Sequence, residues 1–184
     1  MSLINLIISD YRTYKKYGSN FFAIVFLTQG FWASFQYRVA HSIHEKIKIK
    51  TIRRFIMFPF YIWQKIIEIT TGISIPASAK IGHSFYIGHF GGIILNSDTV
   101  IGSNCNISQG VTIGVSGLSE KRGVPVIGNN VYIGANAVLV GKINIGNNCI
   151  IGACSLVTRD LPDNAVALGV PAEIISYKGS GGYI

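Results

Sequence analysis

Residues 126–157 read VIGNNVYIGANAVLVGKINIGNNCIIGACSLV. An aliphatic side chain returns every six positions, at Ile127, Ile133, Leu139, Ile145, Ile151 and Val157, and four of these six are followed directly by glycine. Neither the 3.6-residue period of a helix nor strand alternation produces that spacing. It predicts a parallel β-helix: each short strand turns one aliphatic residue into the axis, and Gly and Asn make the corners. Such coils bury their faces only against neighbouring coils, so the stack is stable as a unit. Further back, Ile81, Ile87 and Ile93 keep the same period, which slips by two residues and resumes at Ile101, Ile107 and Ile113.

The position four residues after each aliphatic holds a small side chain, at Cys105, Val111, Val131, Ala137, Cys149 and Ser155. It is expected inside the coil, which makes Cys105 and Cys149 small core hydrophobes rather than nucleophiles. The rhythm breaks at VSGLSEKRGVPV, and residues 115–126 are expected to leave the coil as a loop. The chain divides into an α-helical N-terminal segment (1–72), the β-helix (73–168) and a C-terminal segment with a Gly-rich tail (169–184).

Composition sets bounds on the rest. The 184 residues are 49% hydrophobic and 13% charged with a net charge of +8, which argues for a packed core and against disorder. The charge is uneven: residues 1–72 carry ten Lys/Arg against three Asp/Glu, and residues 73–184 carry six against five. Three cysteines without a CxxC pair, and no secretory signal pattern, predict a reduced, cytoplasmic setting. The four histidines lack HxH or HExxH spacing, so no metal is expected. The basic residues form no known nucleic-acid module. Phe21 to Tyr37 is uncharged but broken by Thr28, Gln29, Gly30, Ser34 and Gln36, and reads as a buried helix rather than a membrane span. KIKIKTIRRFIMFPFYIWQK (46–65) allows two readings. Either a helix packs its apolar side on the protein, or cations and aromatics touch an anionic membrane surface peripheral to the inner membrane.

Four stretches carry a resemblance: GFWASFQYRVAHS (30–42), TGISIPASAKIG (71–82), NISQGVTIG (106–114) and IGACSLVTRDLPDNAVALGVPAEII (151–175). In this order the chain resembles the serine acetyltransferase family of hexapeptide-repeat acyltransferases, including its short polysaccharide O-acetyltransferase-like members. The resemblance implies a mainly β fold, a left-handed parallel β-helix preceded by a short α-helical segment. It further implies a homotrimer with acetyl-CoA as co-substrate in the groove between adjacent prisms. His89, within YIGHFG (86–91), falls on the family's general base. The chemistry agrees, since a hydroxyl attacking a thioester must shed its proton and neutral imidazole suits that task. A surface histidine at a coil corner is the plainer alternative. His41 also matches a family histidine and is expected to be structural. By family position Gly114, Ala135 and Ala153 line the coenzyme groove, and Lys142, Arg159 and Lys178 are candidates for its phosphates or ordinary surface charges.

The family pattern fails in places. The carboxylate that orients the base falls on Ser74, the acidic residue before the base on Gly88, and an Arg-His pair on Gly123 and Val124, one residue from Arg122. Asp10 is a loose counterpart of an early substrate-binding Asp. Selecting serine needs a carboxylate for its ammonium and cations for its carboxylate. Lys121 and Arg122 remain while the carboxylates have gone, so Ser74, Gly88, Lys121 and Arg122 are read as the acceptor site. The favoured acceptor is a sugar hydroxyl of a surface polysaccharide, with L-serine as the alternative and a non-catalytic β-helix binding protein as a second one. The ending GSGGYI resembles tails that insert into O-acetylserine sulfhydrylase through terminal residues such as Tyr183 and Ile184, or is a frayed terminus.

Overall fold

A computed structural model describes residues 1–184, the side chain of Lys121 excepted. The repeat folds as a triangular prism of three sheets, parallel throughout except for the last strand of the third. The first holds β1 (Ile73–Ser74), β4 (Ile93–Leu95), β7 (Thr112–Gly114), β10 (Val138–Val140) and β13 (Leu156–Val157). The second holds β2 (Lys80–Ile81), β5 (Val100–Ile101), β8 (Val126–Ile127) and β11 (Asn144–Ile145). The third holds β3 (Tyr86–Ile87), β6 (Asn106–Ile107), β9 (Tyr132–Ile133), β12 (Ile150–Ile151), β14 (Val166–Leu168) and β15 (Glu173–Ser176). The architecture is the parallel β-helix expected from the repeat, in the left-handed form that the resemblance implies.

All the periodic aliphatics named above are buried, and so is every small residue of the second interior position. The slip of two residues is absorbed inside β4: Ile93 pairs with Ile73 of the coil below, whereas Leu95 pairs with Ile113 of the coil above, and both are buried. Asparagine explains one corner. Asn104, Asn130, Asn148 and Asn164 all take positive φ between 55° and 64°. Their side chains form a ladder, Asn104 donating to Asn130 at 2.8 Å, Asn130 to Asn148 at 2.9 Å and Asn148 to Asn164 at 3.1 Å. A left-handed turn suits Asn, and the amide of each coil is satisfied by the next.

The N-terminal helices solve the problem of the open first coil, whose strand edges would otherwise present unpaired backbone groups. α1 (Leu3–Lys16), a π-helical turn (Ala23–Leu27), α2 (Gln29–Lys46) and α3 (Lys50–Thr71) precede the prism. Tyr14 of α1 donates to the Ile87 carbonyl and accepts from its N–H. On α2, Tyr37 does the same for Ala79 and Ile81, and Arg38 donates to the Ile81 and Gly82 carbonyls at 2.7 and 2.6 Å. Arg38 also forms a buried pair with Asp10, whose carboxylate accepts from the Phe85 N–H at 2.9 Å. Asp10, the loose counterpart of a family Asp, is therefore part of this cap. α2 approaches β3 so closely that a Cβ at Gly30 would run into the Ile87 carbonyl. Packed on the same end, His41 Nδ1 lies 2.8 Å from the Ala77 carbonyl and its ring stacks on Tyr37.

One expectation is revised. Residues 21–37 are not one buried helix: the π-helical turn ends at Leu27, α2 starts at Gln29, and Phe21, Phe22, Phe26 and Leu27 are exposed. α3 packs one apolar side on the protein, through Met57, Phe60 and Ile67, and leaves a second apolar side facing outward. In the C-terminal segment, β15 pairs antiparallel with β14.

Candidate active site

His89 sits on the turn between β3 and β4, and both flanks of that turn are held by the helical cap. Tyr14 fixes Ile87 on one side; on the other, the Gly91 N–H donates to Thr71 at the end of α3 at 2.8 Å, and the Ile93 N–H donates to Gly72 at 3.0 Å. Gly91 and Gly92 make the return with φ of 100° and 66°, which frees the chain to turn sharply after the exposed His89 and Phe90.

Strand register extends the site from this turn along the prism. Tyr86, Asn106, Tyr132, Ile150 and Val166 stack in one outward column of the third sheet. By the same register Gly88, Ser108, Gly134, Gly152 and Leu168 form the next column, and at the corner His89 heads a line with Gln109, Ala135 and Ala153. These columns floor a groove of 920 Å³, walled by Tyr17, Lys178, Gly181 and Tyr183. The C-terminal segment is tied into that wall. Ser180 is buried, its hydroxyl donates to the Asn130 carbonyl at 2.6 Å and its N–H to Asn148 at 2.9 Å. The Tyr183 ring lies 5.3 Å from that of Tyr132, and its carbonyl accepts from Tyr17 at 3.4 Å.

The groove is short of charge. Among the described residues lining it there is no carboxylate, and Lys178 is the one lysine. Burial, together with Tyr17, pushes the Tyr86 phenol up, so it remains a hydrogen-bond donor. Imidazole next to small residues and hydroxyls can take a proton from a bound hydroxyl while an extended chain lies over the glycine and alanine columns.

Of the residues expected from sequence, Gly88, His89, Ala135, Ala153 and Lys178 come together in this groove. Gly114 lies instead on β7 against Val140. Lys142 lines a separate depression of 560 Å³ with Ser116, Gly117 and Glu120. Arg159 donates to the Ala172 carbonyl at 3.0 Å. Arg122 is exposed on the 115–126 excursion, whose base is closed by paired hydrogen bonds between Ser116 and Gly123. The side chain of Lys121 lies outside the described residues.

Ser74 is in neither depression. Its hydroxyl donates to Glu68 of α3 at 2.7 Å, and Glu68 also accepts from Gln64 and pairs with Lys65. Burial pushes the Glu68 carboxyl up, but these donors prevail and hold it below its usual value. Where the family has a carboxylate, this chain has a serine bound to one. Tyr17, Tyr86, Asn106, Ser108, Gln109, Tyr132 and Tyr183 line the groove without having been foreseen. The signal for most of them was present, as the outward residues flanking the periodic aliphatics of every third strand. The cysteines divide as expected: burial pushes Cys105 up to about 11 and raises Cys149, while Cys154 is exposed.

The chain is similar to known proteins over most of its length. Residues 125–159 match the family of bacterial transferase hexapeptide repeats. The chain is 34% identical over 157 residues to a serine acetyltransferase of Helicobacter pylori, covering 85% of this chain and 87% of that one. It is 33% identical over 150 residues to the serine acetyltransferase of Synechococcus elongatus, spanning 82% of this chain but 58% of the relative's length. A solved serine acetyltransferase in complex with CoA superposes with a TM-score of 0.80 at 29% identity, covering 95% of this chain and 70% of that one.

Proposed function

The chain belongs to the serine acetyltransferase family of hexapeptide-repeat acyltransferases, and on that premise we propose that it transfers acetyl from acetyl-CoA to an acceptor hydroxyl with His89 as general base. The observation that carries this reading is the position of His89 at the head of a groove floored by small residues. The pantetheine arm would lie along Gly134, Ala135, Gly152 and Ala153. The neutral imidazole takes the hydroxyl proton as the oxygen bonds to the thioester carbonyl carbon; the C–S bond then breaks, and the CoA thiolate leaves with a proton returned by the imidazolium. Direct transfer needs no acetyl-enzyme.

L-Serine is the acceptor that the relatives' names support, and it takes precedence over the sugar favoured by the sequence. The sugar hydroxyl stands as a second reading because no described groove residue offers a carboxylate to an ammonium group. A homotrimer would reconcile the scattered candidates. One copy's groove, facing a neighbour's edge bearing Gly114, Arg122 and Lys142, would unite residues that a single chain holds apart. Insertion of Tyr183 and Ile184 into O-acetylserine sulfhydrylase would require Tyr183 to leave Tyr17 and Tyr132.

The test is CoA release by purified protein with L-serine or with a panel of sugar acceptors. Turnover with serine that is lost in His89→Ala supports the leading reading. Turnover only with a sugar moves the acceptor, and equal rates for mutant and wild type remove His89 from the mechanism.

A further inference from the structure

α3 carries apolar residues on two opposite sides, more than a helix that serves only the core requires. The row Met57, Phe60, Gln64, Ile67 and Thr71, spaced three and four residues apart, faces the protein. On the opposite side, Phe55, Phe58, Ile62, Ile66 and Ile69 repeat at the same spacing, and each is 50% exposed or more. This stripe has no partner in the chain. It adjoins a groove of 510 Å³ lined entirely by apolar and aromatic side chains, with Trp63 of α3 on one wall and Phe21 on another. Beyond the groove stand Phe22, Phe26 and Leu27, exposed by 63%, 55% and 63%. The apolar surface thus runs from α3 to the π-helical turn, far larger than the scattered hydrophobics of an ordinary surface.

Charge identifies the occupant. Of the ten Lys/Arg and three Asp/Glu in residues 1–72, Arg38 and Asp10 neutralise each other in the buried pair, leaving nine cations against two carboxylates. Arg54 and Lys65 border the stripe along α3, and Lys46, Lys48 and Lys50 cluster at its start, all exposed. A second copy docked on this face would bring like charges together, whereas anionic headgroups complement them.

We propose that the outward face of α3 and the adjoining apolar groove form a docking surface for an anionic phospholipid bilayer. The helix lies in the headgroup plane, aromatic and aliphatic side chains directed into the acyl boundary and cations at the phosphate level. It does not cross, since no helix among the described residues is long and apolar enough to span a membrane. Docking there leaves the His89 groove, on the third sheet of the prism, outside the contact.

The test is co-sedimentation of the full chain with vesicles of phosphatidylcholine alone and of seven parts phosphatidylcholine to three parts phosphatidylglycerol. Wild type should sediment with the mixed vesicles and lose that binding in high salt. The triple variant Phe55→Ser, Ile62→Ser, Ile66→Ser should bind roughly tenfold or more weakly while keeping the wild-type circular dichroism spectrum. Lys50→Glu with Arg54→Glu, which leaves the apolar stripe intact, should weaken binding to the mixed vesicles as well. Failure of wild type to bind mixed vesicles overturns the proposal, as does undiminished binding by both variants. So does a concentration-dependent gain in mass that the triple variant abolishes without any vesicle binding, because the occupant would then be a second copy.

Discussion

Replacing Tyr14 with phenylalanine removes one oxygen and tests how the helical cap holds the turn that carries His89. The Tyr14 hydroxyl donates to the Ile87 carbonyl at 3.2 Å and accepts from the Ile87 N–H at 3.1 Å, and the side chain is fully buried. Burial drives the phenol far above its usual value, so the O–H remains a donor at any working pH. Phenylalanine keeps the ring packing against Phe31 and Tyr86 but strands a backbone amide and a carbonyl where water does not reach. At about 1–3 kcal/mol for each unsatisfied group, less some local relaxation, the expected loss is about 2–4 kcal/mol. Urea unfolding at fixed protomer concentration should show the midpoint falling by about 1–2 M. Ile87 lies two positions before His89, so kcat should fall while KM for acetyl-CoA holds. Tyr61→Phe, at an exposed position, serves as the control and should stay within about 0.5 kcal/mol of wild type. A Tyr14→Phe protein as stable as that control would refute the idea that the helices substitute for a missing coil.

The same cap makes Arg38→Met costly, by about 3–5 kcal/mol, because Asp10 is left buried without its partner. Adding Asp10→Asn should recover part of the loss, and a double-mutant cycle on unfolding free energies shows whether the two changes are coupled. For Glu68, a carboxyl held below its usual 4.5 favours the folded state above that pH, and the benefit fades as the pH falls through the lowered value. Wild type and Glu68→Gln should therefore differ in urea midpoint near neutrality and converge in acid. A thiol reagent should label Cys154 alone in the native protein and all three cysteines after unfolding, read by mass spectrometry.

The prism was legible because a solenoid writes its core into local spacing: every coil meets the same environment, so Ile127 through Val157 repeat the same choice six residues apart. Even the slip between Ile93 and Ile101 was visible, although only the pairing of Ile93 downward and Leu95 upward explains it. The family pattern pointed to His89, Ala135 and Ala153, which line one groove. The remainder of the groove was not legible, because Tyr86, Asn106 and Tyr132 lie 20 and 26 residues apart and become neighbours only when the coils stack in register.

From sequence alone, then, came the repeat, its interior positions and the histidine at its turn, all properties of short windows. Three things awaited the tertiary structure. Tyr14, Tyr37 and Arg38 cap strands more than forty residues away. Ser180 ties the tail into the groove wall through an asparagine fifty residues earlier. The apolar stripe of α3 faces away from the core rather than into it. The sequence of α3 places apolar residues on two sides; only the packing at Met57 and Ile67 decides which of them enters the core.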